Sequence, residues 1–494
     1  MLVSVRLTLS PLRRWHLELL ERLSALSDVQ ASTEVQPTET AVEPGLEWVL
    51  ALDRRLHHLP EGLSSRVDRS ALHRYGSGST TTADLVIDLT SDPLDDDRTW
   101  RLEFDGQVGE GAALAALRSG RPPLVTLVSS TRTIVAAVPG SESPGVLATA
   151  FDDLLAGCIT VIVGGVTSSP FAAPSIGPGV VPTAAPSLRR HAARQLVSAT
   201  AHRGYRALYR APHWRVGWRL VDGPGLMDDL DHPGGGWQDL PDDGLRFYAD
   251  PFPFEHGGEL FLFVEDFEHR LGRGVISVVR FDELGPTATP EPVLQHDVHL
   301  SYPFVLEDEG ELWMIPETSA AGTVELYRAT HFPAGWELEA ILLKGLEASD
   351  ATIFRHGGRW WMTATVRDGG SFSDALHLWH ADTLTGPWLP HANNPVLLDI
   401  SSARPAGRVI TQGGRLLRPV QDGRAGYGAA LAVAEVTRLD DEAFEQRVIG
   451  RVAPGAWWPG RRLHTLNRAG RLECIDGSAM SPRFRQVRRT GAGR

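Results

Sequence analysis

The sequence predicts a multidomain protein: a five-bladed β-propeller (all-β) preceded by a small α/β domain. Two observations carry the propeller. One phrase recurs at 248–265, 301–317 and 350–365, with weaker copies at 404–421 and 463–476. Each copy reads as strand, polar Gly turn, strand, the signal of a β-hairpin. Hairpin repeats roughly 50 residues apart are the mark of propeller blades. The third observation concerns residues 1–165, where helical and strand patterns alternate, as they do in a small α/β unit.

Within 1–165, a helix over 12–24 places Leu12, Trp15, Leu19 and Leu23 on one face. Apolar runs at 85–89, 124–128 and 134–138 read as strands, a helix follows near 145–157, and 158–163 reads as one more strand. A Pro/Gly-rich linker and a basic helix fill 166–211. That helix carries Arg189, Arg190, Arg194, Arg203, Arg206 and Arg210; a solvated face or a strut against the acidic body is its ordinary reading. The propeller spans 212–482, with a strand at 214–221 placed to complete the last blade and close the ring. Residues 222–246 read as a covering loop, and 483–494 as a basic, disordered tail.

Composition narrows the function. A net charge of −13 disfavours nucleic acid and anionic membranes as main partners. Two cysteines, Cys158 and Cys474, allow neither a disulfide framework nor a Cys-rich zinc site, which points to a reducing compartment. The N-terminus lacks the features of a signal peptide. The apolar stretch at 154–166 reads as too short and too Gly-rich to span a bilayer. A cytoplasmic protein without cofactor, metal or membrane span is the expectation.

The repeat also sets which side chains meet. With Gly257 and Gly258 as a two-residue turn, counting outward places Asp250 opposite Glu265. The same count places Tyr302 opposite Glu317 and Asp350 opposite Thr365. Cross-strand partners lie within roughly 5 Å, so these carboxylates should converge on one mouth of the central channel. Arg404, Gln421 and His464 should line the rest of its wall. Trp313, Trp360 and Trp361 read as blade core, and the spacing of His296 and His299 is a weak metal-like signal.

The motifs YADPFPF at 248–254, HLSYPF at 299–304, MIPET at 314–318, DATIF at 350–354, ARPAG at 403–407 and HTLN at 464–467 form a set. Together they resemble bacterial proteins named after the N-terminal domain of plant glucosamine inositolphosphorylceramide transferase. That resemblance implies a propeller similar to the arabinanase, levansucrase and invertase glycosidases. Residues 1–165 resemble, more weakly, the N-terminal part of formyltransferases, but without the Asn and His their chemistry uses: no Asn precedes Asn393 and no His lies between His73 and His191. The propeller resemblance implies three catalytic acids: Asp250 as base or nucleophile, Glu317 as acid and Asp350 as tuning group. Their order departs from those glycosidases, which place the second Asp before the Glu. Glu265, Tyr302, Arg404, Gln421 and His464 are then substrate-binding.

Glycosidic chemistry needs one protonated and one ionised carboxyl group, and clustering drives their pKa values apart. The expectation is a glycosidase-like protein cleaving or transferring a glycosidic bond of a carbohydrate or glycoconjugate. The alternative is a non-catalytic glycan-binding or scaffold module assisting a separate sugar-modifying enzyme, with the α/β domain docking a protein partner.

Overall fold

The computed structural model describes residues 1–494 except 9–10, 37–42, 79, 170, 178–185, 457, 459 and 484–494. The tail expected at 483–494 therefore lies outside the described residues, apart from Arg483.

The N-terminal unit is a twisted sheet of β1 (Leu2–Thr8), β2 (Gln30–Gln36), β3 (Gly76–Ser77), β4 (Leu85–Asp88), β5 (Thr99–Phe104), β6 (Gln107–Val108), β7 (Val125–Val128) and β8 (Thr133–Ala137). Its order is β3-β2-β1-β4-β5-β7-β8, with β6 hairpinned onto β5. Strands β1 to β5 run parallel, and β7 and β8 antiparallel to their neighbours. Parallel strands need both faces covered, which is why Val3, Val5, Leu7 and Ile87 are fully buried. The helices are α1 (Arg14–Ser24), α2 (Leu46–His57), α3 (Glu110–Arg118), α4 (Leu147–Val166) and α5 (Leu188–Leu208).

Helix α4 corrects the sequence reading twice. Residues 158–163 are helical, not a strand, and form one 20-residue helix with what precedes them. Their β-branched side chains suggest a strand, but the intrinsic penalty in a helix is only tenths of a kcal/mol per residue. Burial on nearly every side outweighs it. A helix apolar all round is a core helix, and α4 packs against α1, α2, α3, β7 and β8. By length and composition it is long and apolar enough to cross a membrane, contrary to the expectation for 154–166; here 72% of its apolar window is buried inside the protein.

The second unit is a propeller of five sheets. Blades one to four have their first two strands at Arg246–His256 and Glu259–Glu268, Ser301–Asp308 and Glu311–Thr318, Ala348–His356 and Arg359–Val366, and Ile410–Gln412 and Arg415–Asp422. Blade five pairs Leu466–Ala469 with Leu472–Ser478, and the strand Trp214–Leu220 joins Leu472–Ser478 antiparallel. The chain thus closes its ring with a strand from before blade one. The Gly turns match the sequence: both central residues have positive φ (60° and 78° at Gly257 and Gly258, 54° and 82° at Glu309 and Gly310), the geometry of a tight hairpin.

The two units share a joint. Val138, just past β8, donates its N–H to Leu398 O (2.9 Å) and accepts from Ile400 N–H (3.0 Å). Gly140 N–H donates to the Asp374 carboxylate at 3.0 Å. Segment 171–177, expected as linker, lies against blade three, with Ala172 N–H bonded to Val396 O at 2.7 Å. The close approach depends on Gly140: a Cβ there would lie 2.5 Å from Ile400 Cβ. Gly140→Ala is therefore expected to cost about 1–3 kcal/mol, read as a lower denaturation midpoint, whereas Gly145→Ala, which meets nothing within 4 Å, is expected to be near neutral.

Candidate functional site

The site begins with a backbone irregularity used three times. Asp250, Tyr302 and Asp350 occupy the left-handed region, with φ of 47°, 45° and 57°. Each is the first residue of a β-bulge. In blade one, Ala249 pairs with Glu265 and Phe252 with Phe263, so Asp250 and Pro251 face one residue. Blades two and three repeat this at 302–303 and 350–351. The pairs expected from the turns are thereby corrected by one residue. Glu265 faces Ala249, Glu317 faces Ser301 and Thr365 faces Ser349. A bulge bends its strand and re-aims the side chain, and the carboxylates still meet.

They meet through backbone N–H groups of adjacent blades. Asp476 Oδ2 accepts from Asp250 N–H (2.8 Å), Asp250 Oδ2 from Tyr302 N–H (3.2 Å), and Glu317 Oε2 from Asp350 N–H (3.0 Å). Asp250 Oδ1 also accepts from the Thr465 hydroxyl at 2.9 Å. His464 lies between two aspartates, Nε2 3.3 Å from Asp250 and Nδ1 2.7 Å from Asp476. Asp350 receives Arg404 Nε (2.7 Å) and Gln421 Nε2 (3.2 Å). Glu265 sits 3.4 Å from His299 Nε2. His299 Nδ1 accepts from Gly274 N–H at 2.8 Å, which puts the ring proton on Nε2, facing Glu265.

Burial dominates the electrostatics. It raises the pKa of Asp250, with His464 opposing and Asp476 reinforcing. It raises Asp350 too, against the pull of Arg404. Glu265, repelled by Asp250, Asp476 and Glu317 as well, is held well above the usual carboxylate range. Glu317 is pushed up to about 8 by burial and then by Asp350. The cations go the other way: burial disfavours charge on His464, but Asp476 and Asp250 outweigh it and raise its pKa. Arg404 likewise stays charged beside Asp350, Tyr427 and Glu142. The mouth therefore holds two glutamic acids with raised pKa values beside two aspartates tied to His464 and Arg404.

Of the residues the sequence singled out, Asp250, Asp350, Arg404, Gln421 and His464 are 6% exposed or less, Glu265 is 8% exposed, and Glu317 is half-buried. Tyr302 does not face the channel as a free wall residue. It is 1% exposed, and its hydroxyl hydrogen-bonds Thr352 Oγ1 at 2.8 Å. Gln421, bonded to Asp350 and Pro405 O, braces the Asp350–Arg404 pair. His296 and His299 do not form a pair; His296 bonds Tyr327.

Four participants were missed. Asp476 ends the fifth repeat, in the place of Glu317 in the second, so alignment of the copies contained the signal. Tyr427, half-buried, lies under Arg404 (5.0 Å to its centroid) and meets His464 edge-on (5.3 Å between rings). Ser373 and Glu142 carry no local signal. Glu142 comes from the α/β unit and accepts from Arg404 (3.0 Å) and Ser373 (2.6 Å). Asp250, His464 and Asp476 also present three ligand atoms within 4.8 Å of one another, a spacing suited to a cation, and the two aspartates raise the pKa of His464 between them.

Residues 241–473 match the family model described as glucosamine inositolphosphorylceramide transferase 1, N-terminal. Curated proteins of that name are similar to the chain: one from Oryza sativa subsp. japonica is 33% identical over 236 residues, 45% of this chain and 31% of the relative. One from Arabidopsis thaliana is 34% identical over 206 residues, 41% of this chain and 27% of the relative. The chain spans about a third of the length of the curated relatives it matches. Among solved structures, an exo-β-1,3-galactanase from Clostridium thermocellum is similar at 12% identity and a TM-score of 0.33, over 48% of this chain and 60% of that one. That likeness is too distant to carry chemistry across.

Glu317 binds its proton more tightly folded than unfolded, its pKa moving from 4.5 to about 8. Its contribution to stability is thus complete below about 4.5 and lost as pH rises through about 8. Glu317→Gln, which cannot ionise, is expected to flatten the decline of unfolding free energy across that window in denaturant titrations.

Proposed function

We propose that the propeller mouth acts on a glycosidic bond of a glycoconjugate, with Glu317 as proton donor and Asp250 as its ionised partner. The observation that carries this reading is the difference between their environments. Glu317, half-buried and with a pKa of about 8, holds a proton at neutral pH. Asp250 accepts from Tyr302 N–H and the Thr465 hydroxyl and lies against His464, whose pKa Asp476 and Asp250 raise. Such a split is what acid–base work on an acetal requires. Glu317 would deliver its proton to the leaving oxygen as the C–O bond breaks. Asp250 would attack the anomeric carbon or take the proton of the acceptor hydroxyl. Asp350, fixed by Arg404 and Gln421, would hold a substrate hydroxyl, and Tyr427 would offer a ring face to the sugar. The relatives' name directs the first screen toward hexosamine-bearing and inositol-phosphate-bearing glycolipids.

One observation favours a second reading. Asp250, Asp350 and His464 are almost fully enclosed and bonded to the protein, as in a site built to recognise rather than react. The chain would then present a glycan to a separate sugar-modifying enzyme, its α/β unit meeting that partner.

Turnover of screened glycosides by wild type, Glu317→Gln and Asp250→Asn separates the two. The enzyme reading expects each variant to lose roughly 10²–10⁴-fold in kcat with glycan binding retained. It also expects the wild-type rate to fall as pH rises past about 8. Unchanged turnover in Asp250→Asn removes this reading, and binding without turnover in every protein leaves the recognition module.

A further inference from the structure

A cleft of about 600 Å³ lies where the α/β unit meets the propeller, outside the mouth but sharing a wall with it. Helix α5 contributes Arg194, Arg203 and Arg206, and the approach to blade five contributes Arg462. The one carboxylate on its lining is Glu142, already engaged by Arg404 and Ser373. Among the described residues none of those four arginines has an ion-pair partner. Arg462 is half-buried, and burial works against its charge with no carboxylate in compensation.

This concentration of unpaired cation stands in a protein of net charge −13. Helix α5 contains no Asp or Glu in its 21 residues, so its charge is not balanced along the helix. It is held in place nonetheless: Gln195, buried among these arginines, bonds Gly145 O and His57, and fixes α5 against α2 and the loop bearing Glu142. Four cations brought together from two units, with no ion-pair partner among the described residues, suit an oxyanion that accepts several charge-assisted hydrogen bonds.

We infer that this cleft is a binding site for a phosphate group. The site deepens the reading of the mouth, on which its place in a substrate rests: Glu142 lines the cleft and bonds Arg404, which bonds Asp350. A glycoconjugate with its glycosidic bond at the mouth could rest an anionic group in the cleft. The phosphate could belong to a soluble sugar phosphate or to a lipid headgroup; the chemistry recognised is the same.

The test uses the full chain and calorimetric titration with inorganic phosphate and with inositol 1-phosphate, in the absence of any glycan. Saturable binding is expected, weakened by salt and by roughly tenfold or more in Arg194→Ala/Arg203→Ala, with Arg462→Ala acting in the same direction from the propeller side. Arg189→Ala/Arg190→Ala, exposed on the same helix but off the cleft, is expected to bind as wild type does. Equal loss in both double variants overturns the site in favour of diffuse attraction, as does no saturable binding of either phosphate. Co-sedimentation with phosphatidylinositol vesicles over phosphatidylcholine vesicles, alongside soluble binding, assigns the headgroup source. Vesicle binding alone makes the helix a membrane-facing surface and overturns the pocket. Because the titration contains no glycan, it reads the cleft whether or not Asp250→Asn alters turnover.

Discussion

The structure depends on how three bulged backbone N–H groups are satisfied. A buried N–H without a partner costs about 1–3 kcal/mol, and a non-glycine residue with positive φ costs a similar amount. Asp250, Tyr302 and Asp350 carry both liabilities. In each case a carboxylate accepts the N–H across the boundary between blades: Asp476, Asp250 and Glu317 in turn. The acids at the mouth are therefore parts of the ring's construction as well as of the candidate site. The two uses do not conflict, because a carboxyl group has more than one lone pair and a backbone tie leaves at least one oxygen position for other partners.

The ties are uneven, and the unevenness separates the acids. At the boundary of blades one and two the bulged residue itself supplies the carboxylate. Glu265, which stands where Glu317 stands in the next blade, is left with only His299 nearby. Among the described residues no arginine or lysine pairs with it, so nothing offsets the burial and carboxylate repulsion that raise its pKa. At the same place in blade three the residue is Thr365, whose hydroxyl has no partner among the described residues. There Arg404 from blade four takes over, holding Asp350 instead. Ion pairs with Arg404 and His464 thus go to Asp350 and to the Asp250–Asp476 pair, while Glu317 feels Arg404 only as an opposing influence that burial and Asp350 outweigh. Where like charges crowd one site they cannot all ionise, and those without cations are the ones that yield.

Much of this was legible in the chain. Five hairpin phrases fixed the number of blades, their Gly turns fixed the loop geometry, and 214–221 was readable as the closing strand. The convergence of Asp250, Glu265, Glu317 and Asp350 followed from the repeat. The register did not, because a bulge adds one residue to one strand without changing the turn from which the count starts. Its trace was present all the same: Asp250, Tyr302 and Asp350 fall at the same place in each phrase, where a strand would ordinarily alternate. Helix α4 was misread because β-branched residues at 158–163 mimic a strand when their burial is unknown. Arg–carboxylate pairs such as Arg404–Glu142, separated by 262 positions, leave no local pattern at all.

That last pair also bears on why the two units are joined. A propeller closed by its own strand needs no second unit to satisfy its edges. Yet the α/β unit adds two backbone bonds to the 398–400 segment and sends Glu142 to the guanidinium that fixes Asp350. Without Glu142, Arg404 would keep Asp350 and Ser373 but lose a charged restraint on its far side. Helix α5 is locked onto the same unit through His57 and Gln195. The α/β unit therefore places both the three cleft arginines of α5 and the Glu142 carboxylate that holds Arg404. Glu142 lines the cleft and accepts from Arg404, so a single carboxylate touches both the cleft and the mouth.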